Sequence, residues 1–330
     1  MKHRHLGRSG LVVSRLALGT MTWGGDTPED DAELQLRAFR ESGGTLIDTA
    51  DVYVKGESER ILGRLLAKDG AREEVLIATK AFGRTGPGPM GRGTSRGHLL
   101  AALDASLQRL QTDYVDLWQV HAWDTATPLE ETVATLDVAV RSGRVRYAGI
   151  SNFSGWQLAK AAAISETRIV SAQMEYSLLQ RGIEREVVPA ALDAGIGLLP
   201  WSPLGRGVLT GKYRRGSVPA GSRGASENFS SFVEPYLEDD RTHIVDAVLT
   251  AADGLGVSPV AVALAWVRDR PGVVAPIVGA RDAKQLTQSL QAESVVLPET
   301  IRTALDDVSM PAASYPERLP FNNQHDEVED

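Results

Sequence analysis

Residues 75–121 contain two short apolar runs, VLIATK (75–80) and YVDLWQVH (114–121), on either side of a longer segment of helical periodicity, RGHLLAALDASLQRL (96–110). The two runs are rich in β-branched and aromatic residues and are too short for typical helices, so they are typical of buried strands. A helix between two strands carries the chain back across the sheet, and the two strands then lie parallel. The stretch therefore predicts one strand–helix–strand unit of a parallel sheet.

The same alternation continues in both directions along the chain. The predicted strands are 15–21, 45–50, 75–80, 114–121, 145–151, 169–175, 197–201 and 273–279, and the predicted helices are 28–42, 58–67, 96–110, 129–142, 155–164, 184–194 and 259–270. Nearly continuous apolar strands between helices indicate a parallel sheet that is buried on both faces. Because eight such units close a barrel, we predict an α/β fold of the (β/α)8 type, the TIM barrel.

An open, doubly wound sheet is the alternative arrangement of these elements. Such a sheet normally has a glycine-rich turn after its first strand, and the sequence LGTM at 18–21 is no such turn. A G-x-G-x-x-G string at 86–91 follows the third strand and contains two prolines, which lack N–H donors, so we interpret it as a flexible loop. The glycine-rich segment 207–213 has the wrong spacing for a P-loop.

Two additions to the barrel are predicted. Residues 2–13 form a hairpin around a turn at 8–10 and plug the N-terminal end of the barrel. The stretch 205–239, after the seventh strand, is a long loop rich in Gly, Ser and Pro, and loops of this length are usually functional. We expect a single barrel domain over residues 1–330, whose irregular tail from 311 lies partly against the barrel.

The composition excludes several classes of function. The chain has 330 residues, of which 42% are hydrophobic and 24% charged, and its formal charge is −8. This charge is a poor match to a phosphate backbone, so we expect no nucleic-acid binding. The absence of cysteine excludes disulfides and thiolate catalysis, and redox chemistry would therefore need a bound cofactor. Because the chain has neither a signal peptide nor an apolar run of about 18 residues, we expect a cytoplasmic protein without a membrane partner.

Four polar residues lie at or just after the ends of neighbouring predicted strands. Asp48 lies near the end of the second strand, and Tyr53 lies five residues further along. Lys80 and His121 end the third and fourth strands. In a (β/α)8 barrel the active site lies at the C-terminal ends of the strands, so these side chains can converge there. Each of them alone is more often structural, as a turn cap, a rim aromatic, a solvated amine or a core histidine.

The combination of the four residues is more informative than any one of them. A lysine that ends an apolar strand is costly to bury unless it is paired, and Asp48 is the natural partner of Lys80. We expect the neighbouring ammonium group to lower the pKa of Tyr53 and to make this residue a proton donor near neutral pH. We therefore predict a catalytic site without a metal ion, which contains Asp48, Tyr53, Lys80 and His121.

These residues belong to motifs that, in their order along the chain, resemble the aldo-keto reductases. The matching motifs are LGT (18–20), IDTADVY (47–53), ATK (78–80), YVDL (114–117) with His121, GISNF (149–153), QMEYS (173–177), WSPLG (201–205) and GAR (279–281). The resemblance covers nearly the whole chain and implies a (β/α)8 barrel that reduces carbonyl compounds reversibly with NADPH. It implies that Tyr53 protonates the developing alkoxide while Lys80, held by Asp48, keeps Tyr53 acidic. His121 would orient or polarise the carbonyl group.

The resemblance also implies the residues that bind the cofactor, NADP(H). Ser151, Asn152 and Gln173 match the groups that hold the carboxamide, and Trp201 matches the ring that stacks on the nicotinamide. Arg281 would face the 2′-phosphate and favour NADP over NAD. The predicted cofactor-binding residues are Gly19, Thr20, Met21, Asp48, Ser151, Asn152, Gln173, Trp201, Ser202, Pro203, Leu204, Arg206, Lys212, Gly279, Arg281, Gln285 and Ser289. Position 289 is often Asn in the family, and the shorter Ser289 departs from that pattern.

Two further expectations concern the loop and the substrate. We expect the loop 205–239 to close over the pyrophosphate, with Arg206 near its hinge. The predicted substrate pocket contains Trp23, Tyr53, His121 and Trp123, together with the loop around Phe229 and Phe232. Such a pocket suits a small aldehyde, a ketone or a keto-sugar. The family also includes cytoplasmic subunits of potassium channels, so a nucleotide-binding accessory subunit is the alternative function.

Overall fold

The chain folds into a ring of parallel strands surrounded by helices. This computed structural model describes residues 1–213, 218–219, 223–225, 230–237, 241–313 and 315. The strands are β1 (His3–His5), β2 (Val12–Ser14), β3 (Ala17–Gly19), β4 (Leu46–Asp48), β5 (Leu76–Ala81), β6 (Val115–Val120), β7 (Val145–Ser151), β8 (Ile169–Glu175), β9 (Gly197–Trp201) and β10 (Ile277–Gly279). The last eight strands form the ring.

Strands that follow one another along the chain are neighbours in the sheet, and each ladder between them is parallel. The order is β10-β3-β4-β5-β6-β7-β8-β9, so the last strand pairs with the first strand of the ring. A parallel bridge between Leu198 in β9 and Val273, just before β10, spans the remaining gap. This arrangement confirms the predicted (β/α)8 barrel. The eighth strand is shorter than predicted, because Pro276, which has no N–H to donate, precedes it.

Helices cover the outside of the barrel. They are α1 (Glu29–Glu41), α2 (Glu57–Asp69), α3 (Arg96–Leu110), α4 (Leu129–Arg141), α5 (Gly155–Ile164), α6 (Val187–Ala194), α7 (Ser230–Val233), α8 (Thr242–Leu255), α9 (Pro259–Arg268), α10 (Ala283–Leu290) and α11 (Glu299–Val308). Sequence periodicity predicts α1 to α6 and α9, but it misses the other four. Two of these bury few side chains, since α10 buries only Leu286 and Ser289 and α11 buries only Leu305.

The predicted hairpin plugs the N-terminal end of the barrel. Strands β1 and β2 pair antiparallel, and Leu6 between them is completely buried. Gly7 has a φ of +58°, and a Cβ at this position would lie 2.5 Å from the carbonyl oxygen of Gly195. Only glycine allows the hairpin to approach the strand ends so closely.

The inside of the barrel changes from apolar to polar along the strands. Leu46, Ala78 and Leu117 belong to one buried apolar cluster that also includes residues of the hairpin. Two residues further along β4 and β5, on the same faces of these strands, are Asp48 and Lys80, which are both buried. The polar end is the C-terminal end, where the active site of this fold lies.

The long loop has more secondary structure than the predicted irregular one. Its described parts include a kinked 3₁₀ segment at Gly205–Thr210, helix α7 and a 3₁₀ turn at Glu234–Tyr236. Residues 214–217, 220–222, 226–229 and 238–240 of the predicted loop, and 314 and 316–330 of the predicted tail, lie outside the described residues. Within the described part of the tail, the carbonyl oxygen of Tyr315 accepts a hydrogen bond from Arg185.

Over the residues that the structure describes, no single helix is both long and apolar enough to cross a membrane. The pair α8 and α9 meets that test only when the two helices are joined across a bend of 103°.

Candidate active site

A cavity of about 660 Å³ lies at the C-terminal ends of the barrel strands. The predicted residues that line it are Gly19, Thr20, Met21, Asp48, Tyr53, His121, Ser151, Asn152, Gln173, Trp201, Ser202, Pro203, Leu204, Arg206, Lys212, Gly279, Arg281, Gln285 and Ser289. This set contains every residue that the sequence predicts for the cofactor. Lys80 lies behind the wall and is fully buried. The fold therefore brings the predicted cofactor residues and the predicted catalytic residues to one cavity.

Some polar residues of the wall escape the sequence-based prediction. Asp26, in the loop after β3, lines the cavity, and so does Gln288 on α10. Recognising α10 as a helix would have indicated Gln288, because residues at spacings of three and four share one helical face. Gln285, a predicted cofactor residue, and Gln288 are three residues apart on this helix. Nothing in the local sequence distinguishes Asp26 from an ordinary turn residue.

The centre of the site is a buried ion pair between β4 and β5. The ammonium Nζ of Lys80 lies 2.7 Å from Asp48 Oδ2 and donates a second hydrogen bond, also of 2.7 Å, to the carbonyl oxygen of Thr49. The other oxygen of Asp48, Oδ1, accepts a hydrogen bond of 2.8 Å from Gln173 Nε2. Both charges thus have hydrogen-bond partners, as the burial of an ion pair requires.

The third hydrogen bond of Lys80 reaches the proposed proton donor. Nζ of Lys80 lies 3.2 Å from the hydroxyl oxygen of Tyr53. The Tyr53 ring lines the cavity and meets the His121 ring edge to face, with 6.0 Å between the ring centroids. The structure thus brings together all four residues that the sequence predicts for catalysis.

Comparisons with known proteins agree with this geometry. The sequence profile of the Aldo/keto reductase family matches residues 15–309. The chain belongs to this family. It is 39% identical over 322 residues to the uncharacterized oxidoreductase YrpG of Bacillus subtilis (strain 168), covering 93% of this chain and 96% of YrpG. It is 37% identical over 325 residues to a probable voltage-gated potassium channel subunit beta of Arabidopsis thaliana, covering 96% and 98% of the two chains. It is also 34% identical over 340 residues to protein tas of Escherichia coli (strain K12), covering 93% and 97%.

Membership of the aldo/keto reductase family supports an oxidoreductase activity. The charges of the four predicted catalytic residues determine which of them can donate a proton. Burial alone lowers the pKa of Lys80, but Asp48 and Tyr53 raise it by more, so this pKa lies above its usual value. Lys80 is therefore a permanent cation at neutral pH.

The pKa of Tyr53 differs from the expectation. Burial of the phenol is the largest cause and raises this pKa, and the carboxylates of Asp48 and Asp51 raise it further. The charge of Lys80 lowers it, but by less than the other groups raise it. The prediction of a lowered Tyr53 pKa is therefore wrong, because desolvation of the phenol raises this pKa by more than the neighbouring ammonium group lowers it. Tyr53 remains protonated at neutral pH, as a proton donor must.

His121 is neutral in this aldo/keto reductase. Burial and the neighbouring charge of Lys80 lower its pKa to about 3. A neutral imidazole can donate or accept a hydrogen bond, but it adds no positive charge beside Lys80. The backbone oxygen of His121 accepts a hydrogen bond of 2.9 Å from Asn152 Nδ2.

The predicted nicotinamide residues form a connected group on the cavity wall. Asn152 Oδ1 accepts a hydrogen bond of 3.0 Å from the indole Nε1 of Trp201, which fixes the edge of that ring. Ser151 Oγ donates to the carbonyl oxygen of Gln173 at 2.8 Å. Asn152 has a φ of +58°, a left-handed conformation that asparagine tolerates better than most residues. Backbone and side-chain bonds thus hold these groups in place before any ligand binds.

Arg206, a predicted pyrophosphate contact, lies on the wall, but its charge is already paired. Its Nε and Nη2 each lie 2.8 Å from an oxygen of Glu175, at the end of β8. Its guanidinium carbon lies 3.8 Å from the ring centroid of Phe232. The Phe232 ring in turn stacks almost parallel to Trp201, with 6.1 Å between centroids. The structure therefore indicates that Arg206 joins the loop to the barrel.

Arg281 and Gln285, which the sequence predicts to bind the cofactor, lie at the start of α10. Asp282 is the N-cap of this helix, and its carboxylate accepts a hydrogen bond of 2.8 Å from the backbone N–H of Gln285. The backbone N–H of Arg281 donates to Gln285 Oε1 at 3.3 Å. The side chain of Asp282 thus caps one N–H group of the first turn. The partly exposed Arg281, just before this helix, lines the cavity.

Two of the predicted pocket aromatics lie elsewhere. Trp23 is completely buried in the apolar core, and its indole Nε1 donates to Gln35 at 3.2 Å. Trp123 packs edge to face against Phe153 and Trp156 and is not among the described residues that line the cavity. Both are packing residues, because their side chains pack against the apolar core and not into the cavity. Phe229 lies outside the described residues, whereas Phe232 lines the cavity.

Proposed function

We propose that this aldo/keto reductase reduces an aldehyde or ketone to the alcohol with NADPH, and that Tyr53 donates the proton. The observation that carries the proposal is the hydrogen bond from Lys80 to the hydroxyl oxygen of Tyr53, beside the 660 Å³ cavity. Because the oxygen accepts from Lys80, the proton of Tyr53 is free to point toward an oxygen atom bound in the cavity. This is the arrangement that general acid catalysis requires.

The protein groups divide the work of proton transfer. Tyr53 gives its proton to the substrate oxygen as negative charge develops there. The ammonium of Lys80, 3.2 Å away, stabilises the phenolate that remains. Asp48 holds that ammonium in place and keeps it charged. Neutral His121, on the same wall, can hydrogen-bond the substrate oxygen and orient it toward Tyr53.

The walls of the cavity fit the cofactor. When bound, NADPH supplies a hydride to the carbonyl carbon. Trp201 offers a flat face, and the amides of Asn152 and Gln173 lie beside it, a combination that suits a nicotinamide carboxamide. Within this wall, Gly19 leaves room for the side chain of Ile277, since a Cβ at position 19 would lie 2.8 Å from Ile277 Cγ2. At the α10 end, the guanidinium of Arg281 suits the 2′-phosphate, which supports NADPH over NADH.

The wall near Trp201 supports a small carbonyl substrate. Trp201 and Phe232 form an aromatic surface, and Met21 also lines the cavity. Apolar and aromatic surfaces with a few fixed polar groups are typical of small-molecule sites. The proposed substrates are small aldehydes, ketones and keto-sugars. We also propose that the protein is located in the cytoplasm.

The decisive experiment measures loss of NADPH absorbance with a panel of aldehydes, ketones and keto-sugars. Wild-type protein is expected to oxidise NADPH only when a carbonyl compound is present, and the alcohol product is identified by mass spectrometry. Protein that binds NADPH tightly but turns over none of the panel would contradict the proposal.

A second candidate function is an accessory subunit of a potassium channel. The relative from Arabidopsis thaliana that is named as such a subunit is 37% identical over 96% of this chain. A binding role would use the cofactor cavity as a sensor and would not require turnover. The two candidates therefore differ in the same assay, because an accessory subunit predicts tight NADPH binding with negligible kcat for every carbonyl in the panel.

A further inference from the structure

The loop that carries Tyr53 is held in an unusual conformation. The three residues after Tyr53 are all left-handed: Val54 has a φ of 47°, Lys55 of 55° and Gly56 of 84°. Valine is branched at Cβ and rarely adopts this conformation, so the surrounding structure must enforce it. Gly56 lies directly against Arg109 of α3, since a Cβ there would meet its Cδ at 2.8 Å. Packing on this side of the loop therefore determines where Tyr53 lies.

Asp51, two residues before Tyr53, is a buried carboxylate that the proton transfer described above does not use. Only 2% of its surface is exposed, and neither carboxylate oxygen has a side-chain hydrogen-bond partner among the described residues; the neighbouring backbone N–H of Val52 lowers its pKa. Its backbone N–H donates to the carbonyl oxygen of Lys80 at 3.1 Å, which ties the loop to β5. A buried acid without partners is costly and calls for an explanation.

The charges around Asp51 do not neutralise it. Glu59 of α2 is fully buried and accepts hydrogen bonds of 2.6 Å from Arg109 Nε and from Thr79 Oγ1. The nearest cation of α3, Arg109, is thus paired with Glu59, and Lys80 of β5 is paired with Asp48. The cluster has two cations and three carboxylates, and Asp51 carries the excess negative charge.

We infer that Asp51 raises the proton affinity of Tyr53 through its charge and so tunes the acid without touching the substrate. The inference rests on the proposed role of Tyr53. An ionised Asp51 disfavours the phenolate, and a protonated Asp51 removes that penalty. Asp51 is therefore a positioning and tuning residue, whereas the charge of Lys80 acts on the phenol in the opposite direction.

The pKa values agree with this geometry. The charge of Asp51 is one of the causes that raise the pKa of Tyr53. Burial, followed by the repulsion of Glu59, raises the pKa of Asp51 itself to about 7, against the opposing effects of Arg109 and Lys80. Asp51 consequently gains its proton as the pH falls through neutrality. Tyr53 then becomes the stronger acid in the pH range where reduction, which consumes a proton, is favoured.

The test follows the ionisation of Tyr53 directly. Protein labelled with ¹³C at tyrosine Cζ gives one resonance per tyrosine, and the Tyr53 resonance is the one that Tyr53→Phe removes. In Asp51→Asn the titration of this resonance should move to lower pH by roughly half a unit or more. Asp51→Ala, a second neutral variant, should move it in the same direction. The control is Asp113→Asn, which removes the same charge from an exposed residue between α3 and β6.

The outcomes separate this inference from the proposed function. An unchanged Tyr53 titration in both neutral variants overturns the inference, even if their thermal stability changes, because a merely structural residue would alter stability alone. A shifted titration in a protein without carbonyl reductase activity supports the inference and overturns the proposed function. In an active enzyme, the high-pH limb of kcat should move with the titration of Tyr53 in Asp51→Asn and stay in place in Asp113→Asn.

Discussion

The guanidinium of Arg206 and the carboxylate of Glu175 form a two-point ion pair, with both contacts at 2.8 Å, between the start of the long loop and the end of β8. The same pair positions the far part of the loop. Arg206 Nη1 donates to the carbonyl oxygen of Phe232, and the hydroxyl of Tyr236 donates to Glu175 at 3.0 Å. Because Phe232 stacks on Trp201, this pair links the loop to the proposed nicotinamide site.

Breaking this pair should loosen the cofactor. Glu175→Gln keeps the shape of the side chain but removes its charge, so we expect the Kd of NADPH to rise about five- to tenfold, mostly through faster dissociation. Stopped-flow fluorescence with a trapping ligand measures the dissociation rate. Glu234→Gln is the matched control, since Glu234 lies in the loop between Phe232 and Tyr236 and is exposed. Equal dissociation rates in the wild type and Glu175→Gln would show that the pair does not retain the cofactor.

Removing the hydroxyl of Tyr53 should abolish reduction and spare cofactor binding. Tyr53→Phe is expected to lower kcat by roughly 10²–10⁴-fold, because general acid catalysis is worth about that much. The Kd of NADPH should stay within a few-fold of wild type, as measured by fluorescence titration. Tyr114→Phe is the control, since Tyr114 packs against Arg72 and Arg146 on the outside of the barrel. If Tyr53→Phe kept more than about a tenth of wild-type turnover, another group would have to be the acid.

Lys80→Met should be at least as damaging as Tyr53→Phe. It removes the cation that stabilises the phenolate and leaves Asp48 buried without its ionic partner. We therefore expect loss of turnover together with a lower free energy of unfolding, measured by urea denaturation. Asp48→Asn combined with Lys80→Met should recover part of that free energy and none of the turnover. A double variant no more stable than Lys80→Met alone would contradict the stated reason.

The sequence predicts the positions of the catalytic residues better than their ionisation. Asp48, Lys80 and His121 can be placed together from the strand pattern alone, because parallel strands bring their C-terminal ends to one face. Whether Lys80 or burial has the larger effect on the pKa of Tyr53 depends on how much water the folded cavity admits. Strand periodicity does not reveal this hydration, and the predicted lowering of the Tyr53 pKa is therefore wrong.

The errors in the fold have similar local causes. Helix α8 buries Ile244, Val245, Val248 and Ala252, a regular pattern that periodicity could have identified. Helix α10 buries too few residues for periodicity to identify it. The cavity residue Gln288 is therefore missed together with the helix. The sequence predicts Trp23 and Trp123 in the pocket as aromatic residues, but their side chains pack elsewhere. The direction in which a loop side chain points is set by tertiary packing, which the sequence around it does not reveal.

Cofactor choice should depend on Arg281. A charge-assisted hydrogen bond to the 2′-phosphate is worth about 1.5–3 kcal/mol, so Arg281→Ala should weaken NADPH binding about ten- to hundredfold. NADH, which lacks this phosphate, should bind almost unchanged. Lys284→Ala removes an exposed charge from the same helix and is the control. The ratio of the two dissociation constants decides: a ratio that Arg281→Ala does not change, or a wild-type preference for NADH, would show that this arginine does not select the cofactor.

Burial of Asp51 should make the stability of the protein depend on pH. Its pKa rises from 3.8 to about 7 on folding, so between these pH values the folded state binds more protons than the unfolded state. The free energy of unfolding therefore falls as the pH rises through this window, by at most about 4 kcal/mol for this group.

Asp51→Asn cannot ionise and should lose this contribution. Urea denaturation at pH 5 and pH 8 compares the two proteins, and the stability of the variant relative to wild type should be higher at pH 8 than at pH 5. The difference between the two proteins would be the same at both pH values if Asp51 did not take up a proton on folding, and the raised pKa assigned to it would then be wrong.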